Sequence, residues 1–166
     1  MTDLNADTRS NGLRWLWLVP PLVLLDQLSK WWAESVLVDG PIAVMPGLNL
    51  SLAYNPGAAF SFLADAGGWQ RGFFIVVTIL ISAFLLYWLS KDEARRPLLG
   101  CSLALVLSGA VGNFIDRLMR GPVVDFIDVY YQSWHWPTFN VADSAITIGV
   151  VLLIIDTIRH PSGSAD

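Results

Sequence analysis

Four long apolar stretches, each near the length of a bilayer crossing, fill almost half of a chain of only 166 residues. A hydrocarbon core of roughly 30 Å needs about 20 mostly apolar residues per helix, and 13–32, 72–89, 98–118 and 141–158 come close to that length. Soluble buried helices in that number would leave almost no amphipathic face to meet water. Composition agrees: 54% of residues are hydrophobic and 14% charged, against roughly 25% charged in a soluble domain. The expected fold class is membrane all-α, with four transmembrane helices and a small β-rich extracytoplasmic segment in one integral membrane domain over 1–166.

The first stretch contains Pro20-Pro21, read as a kink, and continues past Asp26 and Lys30. A cleaved signal peptide is the alternative, since Arg9 and Arg14 precede the run and Ala33-Glu34-Ser35 loosely resembles a small-x-small site, but the run passes into Trp31-Trp32 and Asp26 and Lys30 carry the helix face onward, so it is expected to stay as a span. Arg9, Arg14, Lys91, Arg95, Arg96 and Arg159 fall on one side of the four spans and Lys30, Arg71, Arg117 and Arg120 on the other. The excess places both termini in the cytoplasm. The segment 33–69 is too polar and too broken by Pro and Gly to span, so it lies outside. Within it Leu48, Leu50, Leu52 and Tyr54 alternate with Asn49, Ser51, Ala53 and Asn55, the period of a half-buried strand. Asn55-Pro56-Gly57 then reads as a turn.

A formal charge of -4 with no basic run gives nucleic-acid binding no electrostatic footprint. One cysteine, Cys101, excludes an internal disulfide and reads as a small buried residue. The two histidines, His135 and His160, form no H-E-x-x-H, and neither lies in a span, so neither a metalloprotease nor a buried Ser-His pair fits. No metal and no cofactor is expected.

Ionisable side chains inside a membrane are costly, and each needs a reason. The third stretch presents Asn113, Asp116, Arg117 and Arg120 on one helix face, and the fourth presents Asn140, Asp143, Ser144 and Thr147, both at the outer end. Ser108, Gly109 and Gly112 would let a neighbouring helix approach that face. Arg117 is expected to accompany Asp116 in the buried stripe, with Arg120 solvated. Asp26 and Lys30 form an i, i+4 pair, most simply an ion pair or helix tether. Asp156, near the inner end, is read as reaching the headgroups.

Between the stripes the chain returns through Asp125 and Asp128 in an apolar setting, read as a loop. Asp125 and Asp143 lie at the same end of the molecule. Two carboxylates sharing a proton can activate a water and protonate a leaving amine, and a cap or loop role without chemistry is the alternative for either. Asp125, among Val123, Val124 and Phe126, is the expected proton carrier, since desolvation favours the neutral acid. Asp143, in the first turn of its helix, is favoured as the anion.

Asp26-Gln27-x-Ser29-Lys30, Asn55-x-Gly57-Ala58-Ala59-Phe60, Gly112-Asn113-x-x-Asp116-Arg117, Val123-Val124-Asp125-Phe126 and Phe139-Asn140-x-Ala142-Asp143-Ser144 follow in this order across nearly the whole chain. Together they resemble the bacterial lipoprotein signal peptidases, the signal peptidase II family. The resemblance implies an aspartic endopeptidase of the bacterial inner membrane, its active site at the periplasmic face. Its partners would be lipid-modified prolipoproteins, cut on the N-terminal side of the lipidated cysteine, and membrane lipids; a monomer is expected. It also implies that Asp125 and Asp143 are catalytic. Asn55, Gly57, Asn113, Arg117 and Asn140 would line the site, and Asp26, Lys30 and Asp116 would serve integrity or substrate handling. A small proton-coupled or ion-conducting membrane protein with a carboxylate relay is the alternative, and a non-catalytic assembly factor a third reading.

Overall fold

The computed structural model of the chain describes residues 12–57 and 68–160. Ala58-Ala59-Phe60 of the second motif and Arg9 lie outside the described residues. Among the described residues, three helices are long and apolar enough to cross a bilayer by length and composition: α2 (Trp69–Leu89), α3 (Pro97–Met119) and α4 (Val141–Arg159). At about 1.5 Å per residue each matches a core of roughly 30 Å. The first stretch differs from expectation. It is a 3-10 segment, Gly12–Leu18, followed by α1, Val19–Val36, with Pro20 and Pro21 at its start. Proline at the first helical positions loses no intrahelical hydrogen bond, so the pair starts a helix here instead of kinking one. With Asp26, Lys30 and Glu34 in its length, α1 is not among the helices apolar enough to cross.

Helix α3 is the hub, packed against α1, α2 and α4. Its small residues set the spacing: a Cβ on Gly109 would run into the Ala142 carbonyl and lie 2.6 Å from Ile146 Cγ1, and one on Gly112 would lie 2.6 Å from Asp26 Oδ2. Close backbone approach of this kind replaces the hydrophobic drive that apolar surroundings lack. Away from the sheet, Leu85, Leu89, Leu99, Leu103 and Leu107 form a core closed by Trp15 and Trp88. Phe73, Leu80 and Phe84 of α2 and Ile148, Val151 and Ile154 of α4 are exposed, large and apolar. Arg14 donates to the Arg95 carbonyl at 2.9 Å, and Arg96 lies 3.1 Å from Asp156, so both ends of the described chain meet at the end opposite the sheet. Asp156 is therefore buried and paired, not reaching outward as its sequence position suggested. Cys101 is half-buried.

The sheet is larger than the sequence reading. Four strands, β1 (Ile42–Met45), β2 (Leu48–Asn55), β3 (Val123–Tyr131) and β4 (Trp134–His135), run antiparallel in that order. Half of it thus comes from the segment read as a loop between the third and fourth spans. Its β-branched and aromatic content, Val123-Val124 to Tyr130-Tyr131, was the available strand signal. Phe126 packs with Ala33, Leu37, Leu50, Leu52 and Val141, which seats the sheet on the ends of α1 and α4. Burying such an aromatic is worth about 1.5–3 kcal/mol. The Phe139 carbonyl accepts from the amides of Phe126 and Ile127 at 3.0 and 2.8 Å, pinning the start of α4 to β3.

Candidate active site

Asp125 sits on β3, not on a loop, and is 2% exposed. A bulge between Leu50 and Ala53 of β2 resets the register so that Ala53 pairs with Asp125 and Asn55 with Val123. Asn55 is then the diagonal same-face neighbour of Asp125, and its Nδ2 donates to Asp125 Oδ2 at 3.3 Å. The Asn55 oxygen accepts from the Gly57 amide at 3.0 Å, which closes the expected turn and fixes which end of the side chain faces the acid. Asp128, three residues on, is directed to other partners, His135 at 2.7 Å and Asn49 at 3.2 Å.

Asn140 caps α4 with extended backbone and accepts from the Asp143 amide at 2.8 Å. Asn and Asp are the strongest residues for that position, because the side-chain oxygen satisfies an orphan N–H of the first turn. The other end of the same amide donates to Asp125 Oδ1 at 2.7 Å. One buried side chain therefore ties the strand bearing Asp125 to the helix bearing Asp143. From α3, Asn113 Nδ2 donates to Asp143 Oδ1 at 2.8 Å.

Behind these groups lies a buried charge network. Lys30 is fully buried, with Nζ 2.9 Å from Asp26 and 2.7 Å from Asp116, and it donates to Asn113 Oδ1 at 3.0 Å. Asp26 also accepts from the Ala142 amide at 2.9 Å, so a carboxylate of α1 helps cap α4. Buried acids of this kind persist only when their lone pairs are filled.

Arg117 is buried in the stripe as expected, but the ion pair with Asp116 falls to Arg120, which was expected to be solvated. Arg120 pairs with Asp116 at 2.9 Å and Glu34 at 3.0 Å and donates to Gln27 at 3.0 Å. Arg117 has no ion pair with Asp116; it donates to the carbonyls of Asn113 at 3.3 Å and Gly57 at 3.0 Å and lies over the Phe74 ring. Residues 116 and 120 are i, i+4, the same spacing that flagged Asp26 with Lys30, so the signal was present. Sequence reading also gave no role to Gln27, which bonds Asp26, Asp116 and the Gly112 carbonyl. Arg71 was missed too, and it caps the end of α3 through the Arg117 and Leu118 carbonyls at 2.6 and 3.0 Å.

A cavity of about 800 Å³ brings Asp125, Asp143, Asn55, Gly57, Asn113 and Arg117 together. Asp26, Lys30, Asp116 and Asn140 are not among the residues lining it; they act on it from behind. Burial first, then the Asp143 charge, push the Asp125 carboxyl up to about 7, against amide hydrogen bonds from Asn55 and Asn140. Two neighbouring acids, one carrying its proton near neutral pH, are equipped to activate water and protonate a leaving group.

A buried Asp125 and a half-buried Asp143 facing one cavity among lipid-length apolar helices fit a membrane enzyme. The solved structures agree: the chain matches a bacterial membrane enzyme at TM-score 0.80 and 35% identity over 92% of both chains. A second bacterial membrane enzyme matches at 0.77 and 34%, over 89% of this chain and 94% of that one. The family described as Signal peptidase (SPase) II matches residues 18–159. A lipoprotein signal peptidase of Hydrogenovibrio crunogenus is 50% identical over 147 residues, 88% of this chain and 86% of the relative. One from Yersinia pseudotuberculosis is 47% identical over 161 residues, 96% and 95% of the two chains. The chain belongs to the signal peptidase II family and is a protease.

Proposed function

We propose that this protease removes signal peptides from diacylglyceryl-modified prolipoproteins, cutting on the N-terminal side of the lipidated cysteine, with Asp125 and Asp143 as its catalytic pair. The observation that carries the residue assignment is the Asn140 side chain, which bonds Asp125 Oδ1 with one end and the Asp143 amide with the other from behind the cavity that both acids line. In the reaction one carboxylate takes a proton from water as its oxygen attacks the scissile carbonyl. The neutral acid then gives its proton to the departing amine, and the C–N bond breaks. Arg117 and Asn55, lining the same cavity, are placed to hold the peptide.

The setting proposed is the bacterial inner membrane. Helix α1 would be a fourth span, its Lys30 neutralised by Asp26 and Asp116. Chain 1–166 would form one integral domain, monomeric and lipid-surrounded, with both termini cytoplasmic and the sheet and dyad at the periplasmic face. That places water and acids where a diacylated cysteine anchors its peptide. The comparisons lend no support to the ion-conducting alternative. The test is cleavage of a lipidated precursor peptide, beside its non-lipidated form, by purified protein in detergent. Processing only of the lipidated form is expected, and no cleavage of either would reject the reading.

A further inference from the structure

We propose that Lys30 is a positioning residue for the reaction: it fixes the side-chain amide of Asn113 and, through it, holds Asp143 Oδ1 as an acceptor. The inference rests on the dyad reading above and deepens it. An ammonium group has three donors and no acceptor. Those of Lys30 are all engaged, by Asp26 Oδ2 at 2.9 Å, Asp116 Oδ2 at 2.7 Å and Asn113 Oδ1 at 3.0 Å. Only the oxygen end of an amide can face such a group, so the orientation of Asn113 is dictated by chemistry. Asn140 reinforces it by donating to the same oxygen at 3.3 Å.

With its oxygen held, Asn113 presents N–H to Asp143 Oδ1 at 2.8 Å. A donor there favours the charged form of the carboxylate over the neutral one. The charged groups around the dyad are Lys30 and Asp26 from α1, Asp116, Arg117 and, farther out, Arg120 from α3, and Asp125 with Asp143 themselves. Lys30 reaches Asp143 through one intervening side chain. A purely structural lysine would need its two carboxylates only; the third bond, into the cavity wall, is the extra feature.

Lys30→Met alone would strand two buried acids, so the test couples it to Asp26→Asn, which removes one charge of each sign while Asp116 keeps Arg120. Turnover of the lipidated precursor is measured against pH in detergent, with melting temperature checked for each variant. In K30M/D26N the amide of Asn113 is released, and kcat is expected to fall about 10- to 100-fold, with KM within about twofold of the parent. Its acid limb should move up by about one pH unit, because the dyad has lost a donor to its charged form. K30Q/D26N carries the same charge change but keeps a donor toward Asn113, and should retain the parental limb. Asn113→Leu should shift the limb as K30M/D26N does, and the triple variant should shift it no further, since contributions through one residue do not add.

A folded K30M/D26N with the parental acid limb would overturn the proposal, as would additive shifts in the triple variant. If K30M/D26N does not fold, a shifted limb in K30Q/D26N or an unshifted one in Asn113→Leu would also overturn it. Asp125→Asn measured alongside separates the two readings. Residual turnover there removes the dyad itself, whereas an unmoved limb with Asp125→Asn inactive removes only the role of Lys30.

Discussion

The Arg120 guanidinium lies 2.9 Å from Asp116 Oδ1, and Arg117, its neighbour on the same helix face, makes no ion pair with that acid. On the proposed function, the two arginines are expected to divide stability, at Arg120, from substrate contact, at Arg117. Arg120→Ala should lower the melting temperature, since it strips one charge-assisted bond from a fully buried Asp116 that still keeps Lys30; the cost is about 1.5–3 kcal/mol.

Arg117→Ala should act mainly on KM. Its guanidinium lines the cavity and donates to the Gly57 carbonyl, and its Nε is buried without an acceptor among the described residues. A lost charge-assisted bond to the peptide corresponds to roughly a tenfold rise in KM, read from initial rates with the lipidated precursor. A larger fall in melting temperature for Arg117→Ala than for Arg120→Ala would contradict this division.

Asp143→Asn should abolish cleavage while the protein stays folded in detergent. The amide is nearly isosteric, and the Asn140 cap on its backbone N–H is unaffected. The carboxylate chemistry is gone, however. Turnover above a few per cent of the parent would return Asp143 to a capping role.

Gly109→Ala should destabilise the α3–α4 contact by about 1–3 kcal/mol, the usual range for overpacking. The obstacle is the Ala142 carbonyl, which is backbone and cannot rotate away, with Ile146 beside it. Because Ala142 precedes Asp143, separation of the helices also moves the acid, and activity should fall along with melting temperature.

Apolar run length announced α2, α3 and α4 within a few residues of their observed ends, because lipid exposure imposes a nearly uninterrupted pattern. Spacing at i, i+3 and i+4 likewise put Asn113 with Asp116 and Asn140 with Asp143 on common faces. Strand β3 was hidden for an opposite reason. Its two acids, Asp125 and Asp128, fall on opposite faces with separate partners, so the stretch lacks a clean alternation. The Asp116–Arg120 pair had its i, i+4 signal, but the pairing of Asp116 with Lys30 and of Asp156 with Arg96 depends on which helices pack together, which only tertiary geometry decides.

The raised Asp125 carboxyl makes both stability and turnover fall as pH rises through about 7. Desolvation first, and the Asp143 charge second, carry it from 3.8 to about 7 in the folded protein. The fold then holds a proton that the unfolded chain releases, so this group stabilises the native state fully below about 3.8, progressively less as pH rises toward about 7, and not at all above it. Above that point the parent carries a buried charge that Asp125→Asn does not. Asp125→Asn should therefore be inactive yet melt at least about 4 °C higher than the parent at pH 8, with the difference shrinking steadily toward pH 4. Parental turnover should decline on the basic side of about 7 as the shared proton is lost. Melting curves of the two proteins in one detergent across pH 4–8 would decide it, and a constant difference over that range would show that the Asp125 carboxyl is not the group that titrates.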